Sequence, residues 1–191
     1  MATLVGTVFG DTIFGTGSSD LIFGLGGDDV ILGFAGNDQI EGNDGNDQLN
    51  GNEGNDLIFG GNGDDRINGG KDNDQLLGDQ GNDTLFGDLG DDILWGGQGN
   101  DALFGGAGND LFVFRNGGET GIDTIVDFQA GQGFGDRIEL QGFGIGNFNQ
   151  LLSVTFDTPG FGSTIYLSNL EIRLSGVYEA QLNPDDFSLF A

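Results

Sequence analysis

Between Gly6 and Val113 the chain divides, without insertion or deletion, into twelve consecutive nonapeptides. Position 1 is Gly in every unit, position 6 is Asp in every unit, and position 8 is Ile, Leu or, once, Phe112. With 40 Gly in 191 residues, twelve coincidences at position 1 alone have odds of about 10⁻⁸, so chance is excluded. A strict period this short restricts the chain to a solenoid in which each unit packs on its neighbours.

Position 8 carries Ile13, Ile22, Ile31, Ile40, Leu49, Ile58, Ile67, Leu76, Leu85, Leu94, Leu103 and Phe112. Positions 7 and 9 beside it point the other way in a strand. The pattern predicts a three-residue strand with one inward side chain, followed by a six-residue turn. In that turn Gly at positions 1 and 4 permits positive φ, and Asn or Asp at position 5 tolerates the left-handed region. Nine residues reverse the chain once and eighteen complete a coil. Stacked coils form two parallel sheets across a thin core, an all-β roll with two nonapeptides per coil over residues 6–113.

Composition narrows the chemistry. There are 31 acidic residues against 5 basic ones, a net charge of −26, with no His and no Cys. Such a surface repels a phosphate backbone and an anionic membrane, so nucleic acid is not a partner. No apolar run approaches membrane-spanning length, and Met1 to Gly10 lacks the basic start and apolar stretch of a cleaved signal peptide. Without His or Cys there is no imidazole base, thiol nucleophile, disulfide, or zinc, copper or iron–sulfur site of the usual ligand sets. Carboxylate and carbonyl oxygens remain, and these are hard ligands for Ca²⁺ or Mg²⁺.

Stacking brings the acids together. Loops on one edge of the roll come from alternate units, so Asp65 lies over Asp83 and Asp83 over Asp101, about 4.8 Å apart. An unneutralised column at that spacing repels itself by about 1 kcal/mol per neighbouring pair in water, and by several times more at lower dielectric. Turn formation alone would accept Asn or Ser at position 6, and neither occurs there. Residues 6–113 hold 21 acids and 2 bases, a net charge of −19, which divalent cations held between the loops would offset.

Units 60–68 (GGNGDDRIN), 96–104 (GGQGNDALF) and 105–113 (GGAGNDLFV) read G-G-x-G-(N/D)-D-x-U-x, where U is a large apolar residue. On these residues the chain resembles the RTX, or hemolysin-type, calcium-binding proteins. Units one, two and eight depart from the pattern at position 4, with Phe9, Ser18 and Asp72. The resemblance implies a right-handed parallel β-roll and Ca²⁺ held between loops eighteen residues apart. The first loop gives carbonyls from positions 2 and 4 and the position 6 carboxylate. The second gives carbonyls from positions 1 and 3 and its own Asp. One site then uses Gly61, Gly63 and Asp65 with Gly78, Gln80 and Asp83.

Carried over position by position, the carboxylate ligands are Asp11, Asp20, Asp29, Asp38, Asp47, Asp56, Asp65, Asp74, Asp83, Asp92, Asp101 and Asp110. The carbonyls come from Leu25, Gly27, Phe34 and Gly36, then from Gly42, Asn43, Asp44 and Gly45, and from Gly51, Asn52, Glu53 and Gly54. Further along they come from Gly60, Gly61, Asn62 and Gly63, from Gly69, Gly70, Lys71 and Asp72, and from Gly78, Asp79, Gln80 and Gly81. Gly87, Asp88, Leu89, Gly90, Gly96, Gln98, Gly105 and Ala107 complete the set. Glu119, nine residues after Asp110, stands where a thirteenth position 6 would lie and is a candidate for a last site. About eight Ca²⁺ are expected, and up to eleven with the weaker pairs and Glu119.

From Phe114 the period breaks. Residues 113–114, 123–128 and 136–140 carry V-F, D-x-I-x-D-F and D-x-I-x-L, resembling the region after the repeats in serralysin-type proteases and other type I secretion substrates. The intervening turn is about three residues longer than that pattern, at 133–135. Short strands are expected at 152–156, 164–167 and 171–174. The terminal DDFSLFA resembles a type I export signal and reads equally as an edge strand capping the last coil. Residues 114–191 are thus a β-rich cap with a secretion-signal-like end, and the secretion machinery is an expected partner.

The expected function is that of a non-enzymatic, calcium-folded module, secreted or on the cell surface, with a structural or export role. The alternative is the C-terminal module of a larger secreted protease, lipase or alginate epimerase. Arg115, Arg137, Arg173, Tyr166, Tyr178 and scattered acids form no nucleophile–base set. At the outward positions 7 and 9, even units carry Leu21, Phe23, Leu57, Phe59, Leu77, Ile93, Trp95, Leu111 and Val113, nine apolar residues of twelve. Residues 114–191 are expected to fold over the Ile93, Trp95, Leu111 and Val113 end, leaving the rest of that face for self-association.

Overall fold

The structure is a computed structural model, described over residues 1–117, 120–131 and 135–190. It is a parallel β-solenoid of about seven turns. Among the described residues there are two sheets, of nine and ten strands, and within the repeats each strand pairs with the strand two units away. Position 8 stacks on position 8: Ile22 on Ile40, Ile58 and Leu76 in one sheet, Ile31 on Leu49, Ile67 and Leu85 in the other. From Ile22 to Phe112 these side chains are 0–2 % exposed, forming a core one side chain deep from each sheet.

The strands are longer than the hydrophobic pattern alone suggests. Those of the central units are six residues, for example Leu57–Asn62 and Gln75–Gln80, running from position 7 to position 3 of the next unit. Positions 2 and 3 also pair between stacked loops, Asn43 with Gly61 and Asp44 with Asn62. The glycine-rich half of each unit is therefore part of the ladder, and only positions 4 to 6 turn.

The glycine roles shift accordingly. Positive φ falls at positions 2 and 4 rather than 1, 4 and 5: Leu25 (77°), Phe34 (76°), Asn43 (76°) and Asn52 (78°) at position 2, and Gly27 (88°) and Asp72 (72°) at position 4. Gly at position 1 is required by space instead. A β-carbon on Gly60 would collide with Asp65 Oδ2 and lie 2.7 Å from the Gly78 carbonyl oxygen. From the third unit on, position 5 is Asn or Asp because its side chain serves an outer ladder. The Asp64 N–H donates to Asn46 Oδ1 (2.7 Å), Asn82 N–H to Asp64 Oδ1 (2.8 Å) and Asn100 N–H to Asn82 Oδ1 (3.0 Å).

Both ladders run on past Val113. Gly121–Ile125 and Arg137–Gln141 add to the two sheets with Ile125 beside Leu103 and Ile138 beside Phe112. Leu170–Ser175 and Phe187–Phe190 follow, and an antiparallel hairpin, Thr155–Thr158 with Gly162–Tyr166, ends the ten-stranded sheet. The strand expected at 152–156 starts later because Phe148–Leu152 is a short helix, capped by the Asn147 side chain accepting the Gln150 N–H (3.0 Å).

The tail therefore extends the roll along its axis, and of the even-unit end it was expected to cover, Val113 is buried at 4 % exposure. An open solenoid end presents unpaired N–H and C=O groups on two sheet edges, and strand addition satisfies them where covering a face would not. Trp95 is covered by Arg115, whose guanidinium carbon lies 4.3 Å from the ring centre, while Ile93 remains 38 % exposed.

The packing at position 1 yields a paired test. Gly60→Ala should destabilise the calcium-loaded roll by about 1–3 kcal/mol, as steric overlap beside a buried carboxylate demands. Gly17→Ala, where a β-carbon meets nothing within 4 Å, should stay within about 0.5 kcal/mol of the parent. Thermal melts of both variants distinguish space from backbone freedom.

Candidate metal centre

The position 6 carboxylates form two buried columns, one along each edge. From Asp20 to Asp110 they are 1–2 % exposed. In each, Oδ1 accepts the backbone N–H of the Asp two units earlier. Asp65 accepts from Asp47, Asp83 from Asp65 and Asp101 from Asp83, each at 2.8 Å. On the other edge Asp56 accepts from Asp38 (2.7 Å), Asp74 from Asp56 (2.8 Å) and Asp92 from Asp74 (2.8 Å). This bond fixes each carboxylate against rotation toward water.

The second oxygen is the anomaly. Oδ2 of Asp29, Asp38, Asp47, Asp56, Asp65, Asp74, Asp83, Asp92, Asp101, Asp110 and Asp123 is buried without a hydrogen-bond partner. The glycine cradles show what it faces. The point where a β-carbon of Gly60 would stand is flanked by Asp65 Oδ2 and the Gly78 carbonyl oxygen; at Gly42 the pair is Asp47 Oδ2 with Gly60 O, and at Gly78 it is Asp83 Oδ2 with Gly96 O. Two acceptors thus converge with no donor between them.

Backbone carbonyls enter the same gap. The position 2 carbonyl of Asn43 points up toward Gly61, and the position 4 carbonyl of Gly63 toward Gly81. From the loop above, the position 3 carbonyl of Gln80 accepts the Gly63 N–H (2.8 Å), which leaves it a second lone pair. Left-handed residues at positions 2 and 4, alternating with ordinary ones at 1 and 3, turn successive carbonyls in opposite directions. Among the described residues no three acidic side chains gather in one cage. The gap is built from two carboxylates and several carbonyls, an oxygen set that fits the flexible shell of Ca²⁺ better than the strict octahedron of Mg²⁺.

Electrostatics mark the same positions. Burial pushes the carboxyls of Asp38, Asp47, Asp92 and Asp101 up to about 6, Asp56, Asp65 and Asp110 to about 7, and Asp74, Asp83 and Asp123 to about 8. Asp20, equally buried, moves the other way, because the Ala2 N–H and the Thr16 hydroxyl donate to it. Two things separate it from the rest: the donors on its second oxygen, and the weaker desolvation at the open end of the column.

Thr7 and Thr16 explain why the first coil differs. The Thr7 N–H (2.6 Å) and hydroxyl (2.8 Å) donate to Asp11 Oδ2, and the Thr16 N–H and hydroxyl donate to Asp20 Oδ2, both at 2.7 Å. A β-branched residue at position 2 does not take the left-handed conformation that Leu25 and Phe34 adopt there, so these loops close on their own carboxylates. Of the twelve Asp residues read from the repeat, Asp29 to Asp110 have the bare oxygen, and Asp11 and Asp20 do not. Asp72 takes positive φ without being Gly, and its carbonyl faces Gly90 as a position 4 carbonyl should. Glu119 lies outside the described residues.

Two members of the columns escape the nine-residue register. Asp123 Oδ1 accepts the Asp101 N–H (2.9 Å) and Asp136 Oδ1 the Asp110 N–H (3.0 Å). Both stand in D-x-I, the same Asp-to-apolar spacing as the repeat, displaced by insertions of four and eight residues (22 and 26 minus 18). Asp136 closes its column, because its Oδ2 accepts the Gln129 N–H (2.8 Å).

Residues 5–40, 41–76 and 77–112 each match the family model of the RTX calcium-binding nonapeptide repeat (4 copies). The chain belongs to that family. Its fold is similar to the solution structure of the AlgE6R3 subunit from the Azotobacter vinelandii mannuronan C5-epimerase, with TM-score 0.53 and 30 % identity over 66 % of this chain and 78 % of that one. It also resembles the extracellular lipase LipA from Serratia marcescens, with TM-score 0.50 and 16 % identity, a likeness of fold. That match covers 92 % of this chain but 39 % of the lipase chain. A comparison with curated protein sequences finds no match.

The raised carboxyls of this RTX roll set the sign of a pH dependence. In the absence of metal, groups whose folded values lie above the unfolded value contribute stability below about pH 4 that is lost as pH rises through about 6 to 8. Melts in chelator should therefore show the apo chain more ordered at pH 5 than at pH 8. With calcium present the order reverses, because protons compete for the same oxygens. Equal apo stability at the two pH values would contradict the buried, donor-free state of these groups.

Proposed function

We propose that the chain is a calcium-folded module of a secreted protein, in which one Ca²⁺ fills each gap between loops eighteen residues apart. The observation that carries this reading is the set of bare, buried Oδ2 atoms facing acceptor carbonyls. A divalent cation satisfies an all-acceptor gap and offsets the charge of both carboxylates at once. Gly61, Gly63 and Asp65 with Gly78, Gln80 and Asp83 form one such site. Ten orphaned carboxylates between Asp29 and Asp110 (eleven less Asp123) support ten ions, the last two completed by Asp123 and Asp136.

The role is structural, and its switch is the compartment. In a calcium-poor cytosol the columns repel and the chain stays open for export; outside, calcium closes it. The export-signal-like end supports this order of events. Asp186 is 1 % exposed and accepts the Gly131 N–H (3.1 Å), and Phe187–Phe190 is paired with Arg137–Gln141. A secretion apparatus that reads this segment reads it before the roll forms.

The second reading, a module of a larger secreted enzyme, is favoured by the epimerase subunit at 30 % identity, itself one part of an enzyme. Both readings share the calcium-dependent fold and place no catalytic set within this chain.

Circular dichroism should show a largely unfolded chain in chelator that folds with a midpoint of about 10⁻⁴–10⁻³ M calcium. A fully folded apo spectrum at pH 7.5 would reject the proposal. Asp83→Ala should remove about two ions from the stoichiometry measured by equilibrium dialysis, because Asp83 borders the gaps above and below it. Asp11→Ala should remove none.

A further inference from the structure

The antiparallel hairpin that ends the ten-stranded sheet holds a recess of about 330 Å³ unrelated to the calcium loops. Its walls carry Phe161, 74 % exposed, and Tyr166, 48 % exposed. Rings this exposed keep apolar surface in water, and a stacked ligand would bury it. Tyr166 is held in place by Phe156, with ring centroids 5.9 Å apart.

Beside the rings lie Thr164, Glu171 and Arg173. Arg173 Nε donates to Glu171 Oε1 at 2.7 Å. That bond uses one guanidinium N–H and one carboxylate oxygen, so a donor fork and an acceptor remain side by side on planar groups. The pair is internally neutral. A donor next to an acceptor matches two vicinal hydroxyls, and an exposed ring matches the C–H face of a pyranose.

The frame is rigid. Ser163 Oγ and the Glu179 N–H both donate to Asp157 Oδ1, each at 2.7 Å, tying the hairpin to the following segment. Gly162 has no room for a β-carbon against Leu174 O and Gly176 N. A preformed recess spares a small ligand the cost of ordering it.

We propose that this recess binds a neutral hexopyranose, free or at the end of a glycan. Because Arg173 and Glu171 neutralise each other, the recess offers neither an unpaired cation for an anionic sugar nor an unpaired anion for a cationic one.

The test uses the full, calcium-loaded chain. Saturation-transfer NMR with glucose, galactose, mannose and N-acetylglucosamine, each at about 50 mM, should show at least one binding with a Kd of about 1–10 mM, as expected for so small a ligand. Amide shifts should map to residues 158–174. Tyr166→Ala and Arg173→Ala should each weaken binding at least about tenfold, and Tyr166→Phe, which keeps the ring, by less than about threefold, with unchanged circular dichroism. Absence of binding by all four sugars, binding that survives both alanine substitutions, or tighter binding of glucuronate than of any neutral sugar overturns the proposal.

Discussion

A carboxylate oxygen removed from water without a donor is among the most costly groups a protein can bury, and this roll buries a row of them along each edge. Everything else in the repeat follows from holding those oxygens in place. The Oδ1 ladder anchors each Asp to the loop before it, Gly at position 1 leaves room for Oδ2, and left-handed residues at positions 2 and 4 turn carbonyls into the same gap. The hydrophobic core is too thin to do this alone. One buried side chain per nine residues works against the backbone entropy of nine positions, several of them Gly.

The columns are bounded by hydrogen bonds. At the first coil, Thr7 and Thr16 supply donors to Asp11 and Asp20; at the far end of one edge, the Gln129 N–H supplies one to Asp136. On the other edge Asp123 keeps a bare oxygen, and Ile172 stands beside it where another acid would continue the column. Three of the four column ends thus satisfy themselves, while the Asp123 end and the middle depend on an ion. The C-terminal strands then cap the sheets by extending them, the arrangement that pairs the exposed edges.

Much of this was legible in the residues. Strict Asp at position 6 and a single apolar residue at position 8 were enough for the coil, the two columns and the oxygen chemistry. The strand length was not, because Gly-rich positions such as 60–62 carry no hydrophobic alternation, and their pairing comes from stacking rather than from side chains. The glycine at position 1 reads in the sequence as a source of positive φ, because sequence shows the missing side chain but not the carboxylate that fills its place. Thr at position 2 in the first two units was a readable signal, since a β-branched residue resists positive φ. Asp123 and Asp136 were hidden only by insertions, with the D-x-I signature intact.

The most direct test of the central claim is a calcium-bound crystal structure with an anomalous difference map. Ten peaks should lie in the gaps from Asp29–Asp47 and Asp38–Asp56 through Asp101–Asp123 and Asp110–Asp136, each within about 2.3–2.6 Å of a position 6 Oδ2. None should lie beside Asp11 or Asp20. Empty central gaps, with Asp65 or Asp83 Oδ2 bonded instead to a protein donor, would contradict the account.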